Sequence, residues 1–125
     1  SLTTPAGLDG LMTVSDSLRI RSHDSLQNLA GLEGLTAIGD DLDLQGNDGL
    51  SDVDELADLN TIGGDLIIIS HPELSDLSGL TGVNSVGGNV QITYNGAFSN
   101  DTAQSLVDGF NSVGGTTTIN NNTGP

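Results

Sequence analysis

The chain has 125 residues and contains no cysteine, no tryptophan and no lysine. Without cysteine there are no disulfides and no thiolate chemistry. One Tyr and two Phe make up the aromatic content, so the stacking platforms usual in a carbohydrate cleft are scarce. Basic residues are nearly absent. Arg19 and Arg21 face 17 acids, and the net charge is −15. Phosphate neutralisation needs Lys and Arg, so nucleic acid is excluded as an expected partner. An anionic membrane surface is disfavoured for the same reason. No segment reads as a signal peptide or membrane span, and no membrane insertion is expected. The chain begins at Ser1 without Met, which suggests a processed product or an excised fragment.

What is present is a period. Leu8, Leu32, Leu56 and Leu80 are spaced by 24 residues, as are Leu11, Leu35, Leu59 and Val83. The same spacing relates Val14, Ile38, Ile62 and Val86, and also Leu18, Leu42, Leu66 and Val90. Ile20, Leu44, Ile68 and Ile92 form a fifth apolar column, and Leu26, Leu50, Leu74 and Phe98 a sixth. Such columns describe a repeat protein in which like positions stack on like. The chain is rich in Gly, with 18 residues that recur inside the repeat and therefore mark turns.

Within one repeat, Leu42 and Leu44 alternate with Asp43 and Gln45, a short strand with every second residue inward. Each such strand follows a glycine corner (Gly39, Gly63-Gly64, Gly87-Gly88, Gly114-Gly115), where Gly is expected to supply a positive φ. After the strand stands a column of Asn47, Asn95 and Asn122, with His23 and His71 in the two other repeats. Buried Asn there is expected to bond the backbone of adjacent turns as a ladder. Leu50 with Val53, like Leu26 with Leu29, suits a bent, irregular or short second strand. Leu8 with Leu11, like Leu32 with Leu35, suits a helical or 3-10 turn on a third side.

The period breaks once. Phe110, Val113, Thr117, Ile119 and Asn122 follow their counterparts by 27 residues, an insertion of three around 98–103. Ala103, Leu106, Val107 and Phe110 have helical spacing, predicting a short helix over 101–110 with Asn100 or Asp101 as N-cap. The chain is thus expected to be one domain. Residues 1–7 read as a tail or N-cap, 8–98 as four regular rungs, and 99–125 as an irregular fifth. The expected fold is a mainly β, right-handed parallel β-solenoid of about five rungs.

The Ile62–Ile68 stretch IGGDLII and the L-x-L-x-x-N-x-x-L element at Leu42–Leu50 resemble the leucine-rich repeats. They are more similar to the receptor L domain, the β-helical module of growth-factor-type receptors and of many bacterial surface proteins. Ile38 stands four residues before Leu42 with the corner between them, as in the L-domain form. The resemblance covers about residues 7 to 123. It implies an extracellular or cell-surface binding or adhesion module without catalysis.

Outward strand positions form two columns. One holds Arg19, Asp43, Ile67, Gln91 and Thr118; the other Arg21, Gln45, Ile69, Thr93 and Asn120. Arg19 is expected to pair with Asp43 across strands, for about 0.2–1 kcal/mol. Ile67 and Ile69, with Tyr94, are expected to form an exposed apolar patch of the kind that marks partner sites. Arg19, Arg21, Asp43, Ile67, Ile69 and Tyr94 are therefore the candidate binding residues.

Acids also stack: Asp16 over Asp40, Asp41 over Asp65, and Asn28, Asp52 and Asp76 in a third column. Calcium would bridge such like charges, making Asp41, Asp65, Asp52 and Asp76 candidate ligands, although solvated corner acids explain them as well. Residues 41–52 mimic an EF-hand loop, but Leu42 and Leu44 are needed in the core. His23 and His71 lie two repeats apart, roughly 10 Å, too far for one metal ion. No nucleophile–base constellation is visible. Carboxylates along a corner are weak support for glycoside cleavage, and Thr116–Thr118 does not repeat as an ice-binding face would. Asn100-Asp101-Thr102 and Asn121-Asn122-Thr123 match the glycosylation sequon.

The expectation is a non-enzymatic module that binds a protein or glycan through its main sheet. No cofactor is expected apart from the calcium alternative. The competing expectation is a structural subunit of a surface layer, stalk or filament, self-associating through the ends of the stack.

Overall fold

The computed structural model describes residues 13–22, 26–29 and 32–124. Residues 1–7, the Leu8–Leu11 pair and His23 lie outside them. The described chain is mainly β. Strands of two residues alternate with strands of four. The short strands are β1 (Thr13–Val14), β3 (Ala37–Ile38), β5 (Thr61–Ile62), β7 (Ser85–Val86) and β9 (Ser112–Val113). The longer ones are β2 (Leu18–Arg21), β4 (Leu42–Gln45), β6 (Leu66–Ile69), β8 (Val90–Thr93) and β10 (Thr117–Asn120). Each set forms its own five-stranded parallel sheet, ordered as in the sequence.

The pairing follows the period. Leu18 faces Leu42, Leu42 faces Leu66 and Leu66 faces Val90, each 24 residues on. Val90 faces Thr117 at 27. Parallel neighbours need a long crossover, and here that crossover is the rest of the repeat, including the other sheet. Ile38, Leu42, Leu44, Leu50, Val53, Leu56 and Leu59 of one repeat are all buried against their counterparts in the next. Each such side chain contributes about 1.5–3 kcal/mol on burial. The 3-10 turns expected on a third side are present at Asp54–Leu56 and Ser78–Leu80, burying Leu56 and Leu80.

Three local features differ from expectation. The second sheet is formed by the residue pairs just before the glycine corner, not by the Leu50–Val53 type segments, whose ladder among the described residues is the single bridge Asp52–Asp76. The corner glycines do not have positive φ; among the described glycines only Gly46 does. They serve close approach instead. A Cβ on Gly63 would collide with the carbonyl of Gly39 one repeat earlier, and one on Gly64 with the Asp41 carboxylate. Helix α1 spans Asn100–Asp108 and is capped by Ser99, whose Oγ accepts the N–H of Thr102. Ser99 takes this place because its backbone is still extended there, as a cap requires. Ala103, Leu106 and Val107 are buried from the helix, and Phe110 is buried just beyond it.

Candidate functional site

The outer face of the four-residue strands carries the predicted binding residues in the predicted order. Arg19 lies beside Asp43, Asp43 beside Ile67, and Ile67 beside Gln91. Arg21, Gln45, Ile69, Thr93 and Asn120 form the parallel column. Asp43 is the centre of a charged group at one edge. Although it points away from the core, its exposure is only 1%. Arg21 Nη2 pairs with Asp43 Oδ2, and Gln45 Nε2 donates to Asp43 Oδ1 at 2.9 Å. Arg19 lies with Nε 3.9 Å from Asp43 and with Nη2 3.6 Å from Asp41. The hydrogen bond to Asp43 raises the Arg21 pKa further above its ordinary value. Both guanidinium groups remain about half exposed.

Ile67 and Ile69 are half-buried in the middle of the sheet. Tyr94 is 62% exposed, the large apolar side chain most open to solvent among the described residues. It stands one residue past the strand, at the edge of the face. Its backbone is left-handed, with φ 61°. Sequence reasoning missed this. Ser22, Ser70, Tyr94 and Asn121 all have φ between 56° and 62°, and Gly46 occupies the same column. Gly46 and Asn121 suit that conformation and were the available signal. A tyrosine there is strained by about 1–3 kcal/mol.

Thr93 is the other anomaly. It is 2% exposed, and its Oγ1 has no hydrogen-bond partner. Buried hydroxyls normally have one, and an orphan costs about 1–3 kcal/mol.

The acidic columns do stack, but one oxygen of each of Asp41, Asp65, Asp52 and Asp76 accepts a main-chain N–H. Asp41 Oδ1 accepts the Asp65 N–H at 2.7 Å, and Asp65 Oδ1 accepts the Asn89 N–H at 2.7 Å. Asn89 Oδ1 accepts the Thr116 N–H at 2.8 Å, and Ser17 Oγ begins the series by accepting the Asp41 N–H at 3.2 Å. Asp52 and Asp76 accept from the main chain two residues on and so fix the start of each 3-10 turn. The Ser78 hydroxyl and N–H lower the Asp76 pKa, whereas desolvation and then the charges of Asp52, Asp76 and Glu55 raise that of Asp54. Among the described residues, no group of three or more His, Asp or Glu side chains is placed to hold a metal ion.

The inward ladder is a second such device. Asn47 Nδ2 donates to the Ile20 carbonyl, Asn95 Nδ2 to that of Ile68, and Asn122 Nδ2 to that of Ile92. In return Asn95 Oδ1 accepts the His71 N–H, and Asn122 Oδ1 accepts both the N–H and the Nδ2–H of Asn95. Asn100 then repeats the role of Asn122. Its Oδ1 accepts the N–H and Nδ2–H of Asn122, each at 3.0 Å. The inserted residues thus end the ladder; both sequon asparagines, Asn100 and Asn121, are exposed.

A groove of about 300 Å³ lies between Ser75–Thr81 and α1, with Asp76, Thr102 and Ser105 on its walls and Leu77 and Leu106 beneath. Of the sequence-predicted residues only Asp76 reaches it. Among the described residues no helix is long and apolar enough to cross a membrane. Comparison with protein-family models found no match for this chain, and neither did comparison with curated proteins or with solved structures.

Proposed function

We propose that the chain is a non-enzymatic, extracellular or cell-surface module that binds a protein or glycan partner through the outer face of β2–β10. The observation that carries this reading is Tyr94. An aromatic side chain is held exposed on a backbone that disfavours it, although glycine serves the same position at Gly46 without strain. Beside it the sheet offers Ile67 and Ile69, and at the far edge stand both cations of the chain. The proposed frame is a right-handed parallel β-solenoid of the L-domain kind with about five rungs. Ordered parallel pairing and the strong preference of parallel crossovers for the right hand support it.

Labelled protein applied to arrayed glycans and to intact cells is the test. Tyr94→Ala and Ile67→Asp should each abolish the binding seen with the parent while far-UV circular dichroism stays the same. Binding that survives both substitutions places the site elsewhere.

End-to-end assembly is the second reading. It is favoured by β9 and β10, which each pair on one side only and leave Thr117 and Thr118 exposed. The closure of the ladder at Asn100 weighs against it. A monomeric mass by light scattering at high concentration would remove it.

A further inference from the structure

His71 occupies a position built for asparagine, and its ring does not fit the bonding pattern there. Nε2 lies 2.8 Å from the Leu44 carbonyl, the acceptor that an Asn side chain would use 27 residues back. Nδ1 faces a second acceptor, the Asn47 carbonyl, at 3.4 Å. A neutral imidazole has one N–H for these two oxygens. The shorter contact assigns it to Nε2, which leaves the Nδ1 lone pair toward the Asn47 carbonyl. A second proton would satisfy both, but the side chain is fully buried. The groups around it are the Leu44 and Asn47 carbonyls on one side and the Asn95 carboxamide, bonded to its main chain, on the other. Asp48 is the charged residue whose field reaches the ring.

We propose that His71 is a pH-responsive joint in the ladder: neutral it closes the stack between β4 and β6, and its protonation opens that stack beside the strand carrying Ile67 and Ile69. Burial is the largest influence on the ring and lowers its pKa below 6.5, outweighing the two carbonyls and Asp48, which act the other way. The sign follows. Below about pH 6.5 the unfolded chain takes up a proton that the folded chain refuses. Stability contributed by neutral His71 is present above that pH and is lost as pH falls from about 6.5 toward the folded-state value.

The experiment is urea unfolding of the full chain between pH 8 and 5, with His71→Asn and His23→Asn in parallel, and 15N spectra of the imidazole nitrogens of the parent at pH 7. The expected result for the parent is a folding equilibrium constant that falls as pH drops below about 6.5, by at most about tenfold per pH unit for this one group. His71→Asn should remove the slope, because asparagine restores the ladder pattern, and His23→Asn should keep it. The spectra should show a neutral ring protonated on Nε2. A slope that persists in His71→Asn, or a ring that is charged or protonated on Nδ1 at pH 7, overturns the proposal. If His71→Asn does not fold, the 15N spectra of the folded parent followed down to pH 5 decide: a His71 ring that stays neutral below the ordinary histidine value supports the proposal, and one that charges at or above it overturns the proposal.

Discussion

Asp41 occupies the space that a side chain on Gly64 would need. Its Oδ1 reaches across one repeat to the Asp65 N–H, and a Cβ on Gly64 would fall on that oxygen. The same relation holds between Asp65 and Gly88 and between Asn89 and Gly115. At the first corner the ladder residue is the shorter Ser17, and there the chain carries Asp40 in place of glycine. Gly64→Ala should therefore cost about 2–3 kcal/mol. In a chain that also carries Asp41→Ser the penalty should shrink without vanishing, because Asp40 Oδ1 at 2.5 Å and the Asp40 main-chain carbon at 2.9 Å still crowd that Cβ; a double-mutant cycle by urea denaturation measures the coupling.

Removing a ladder amide strands more than one buried partner. Asn95→Leu leaves the Ile68 carbonyl and the His71 N–H without the bonds that Asn95 provides. At about 1–3 kcal/mol for each orphaned group, the loss should be about 3 kcal/mol or more. Asn100→Ala should cost less, about 1–2 kcal/mol, because it exposes only the terminal member. Thermal unfolding followed by circular dichroism ranks the two.

Thr93→Val replaces an unpartnered hydroxyl with a methyl group of the same shape in a strand that favours β-branched residues. The substitution should raise stability by about 1 kcal/mol. A loss of stability would mean that the hydroxyl finds a partner in solution.

Tyr94→Gly separates strain from binding. Relief of the left-handed penalty, about 1–2 kcal/mol, is set against the backbone entropy of glycine, about 0.5–1 kcal/mol. The expected net result is a gain of up to about 1.5 kcal/mol in chemical denaturation together with loss of glycan or cell binding. A more stable protein that still binds would detach Tyr94 from function.

The columns of the outer face were legible in the sequence because strand side chains alternate and the period aligns them. Arg19 beside Asp43 and Ile67 beside Gln91 follow from counting alone. The Asn ladder and the 3-10 turns at Leu56 and Leu80 were legible for the same reason. Less legible were roles that depend on distances between turns. The corner glycines suggested turn conformation, yet they answer to the neighbouring backbone and the Asp41 oxygen. The stacked acids suggested calcium, yet Asp41 and Asp65 accept amide protons whose direction no spacing reveals. The N-cap fell on Ser99, one residue before the expected pair, because the insertion removed the repeat as a guide.

The sequence by itself determined which residues stack on which, since a strict 24-residue period permits one register for its apolar columns. Only the tertiary structure decided what the stacked polar groups do. A hydrogen bond depends on a few tenths of an ångström and on direction, neither of which a period encodes. The burial of Asp43 beneath its arginines, the unpartnered hydroxyl of Thr93, the left-handed backbone of Tyr94 and the two carbonyls facing His71 all belong to that second kind.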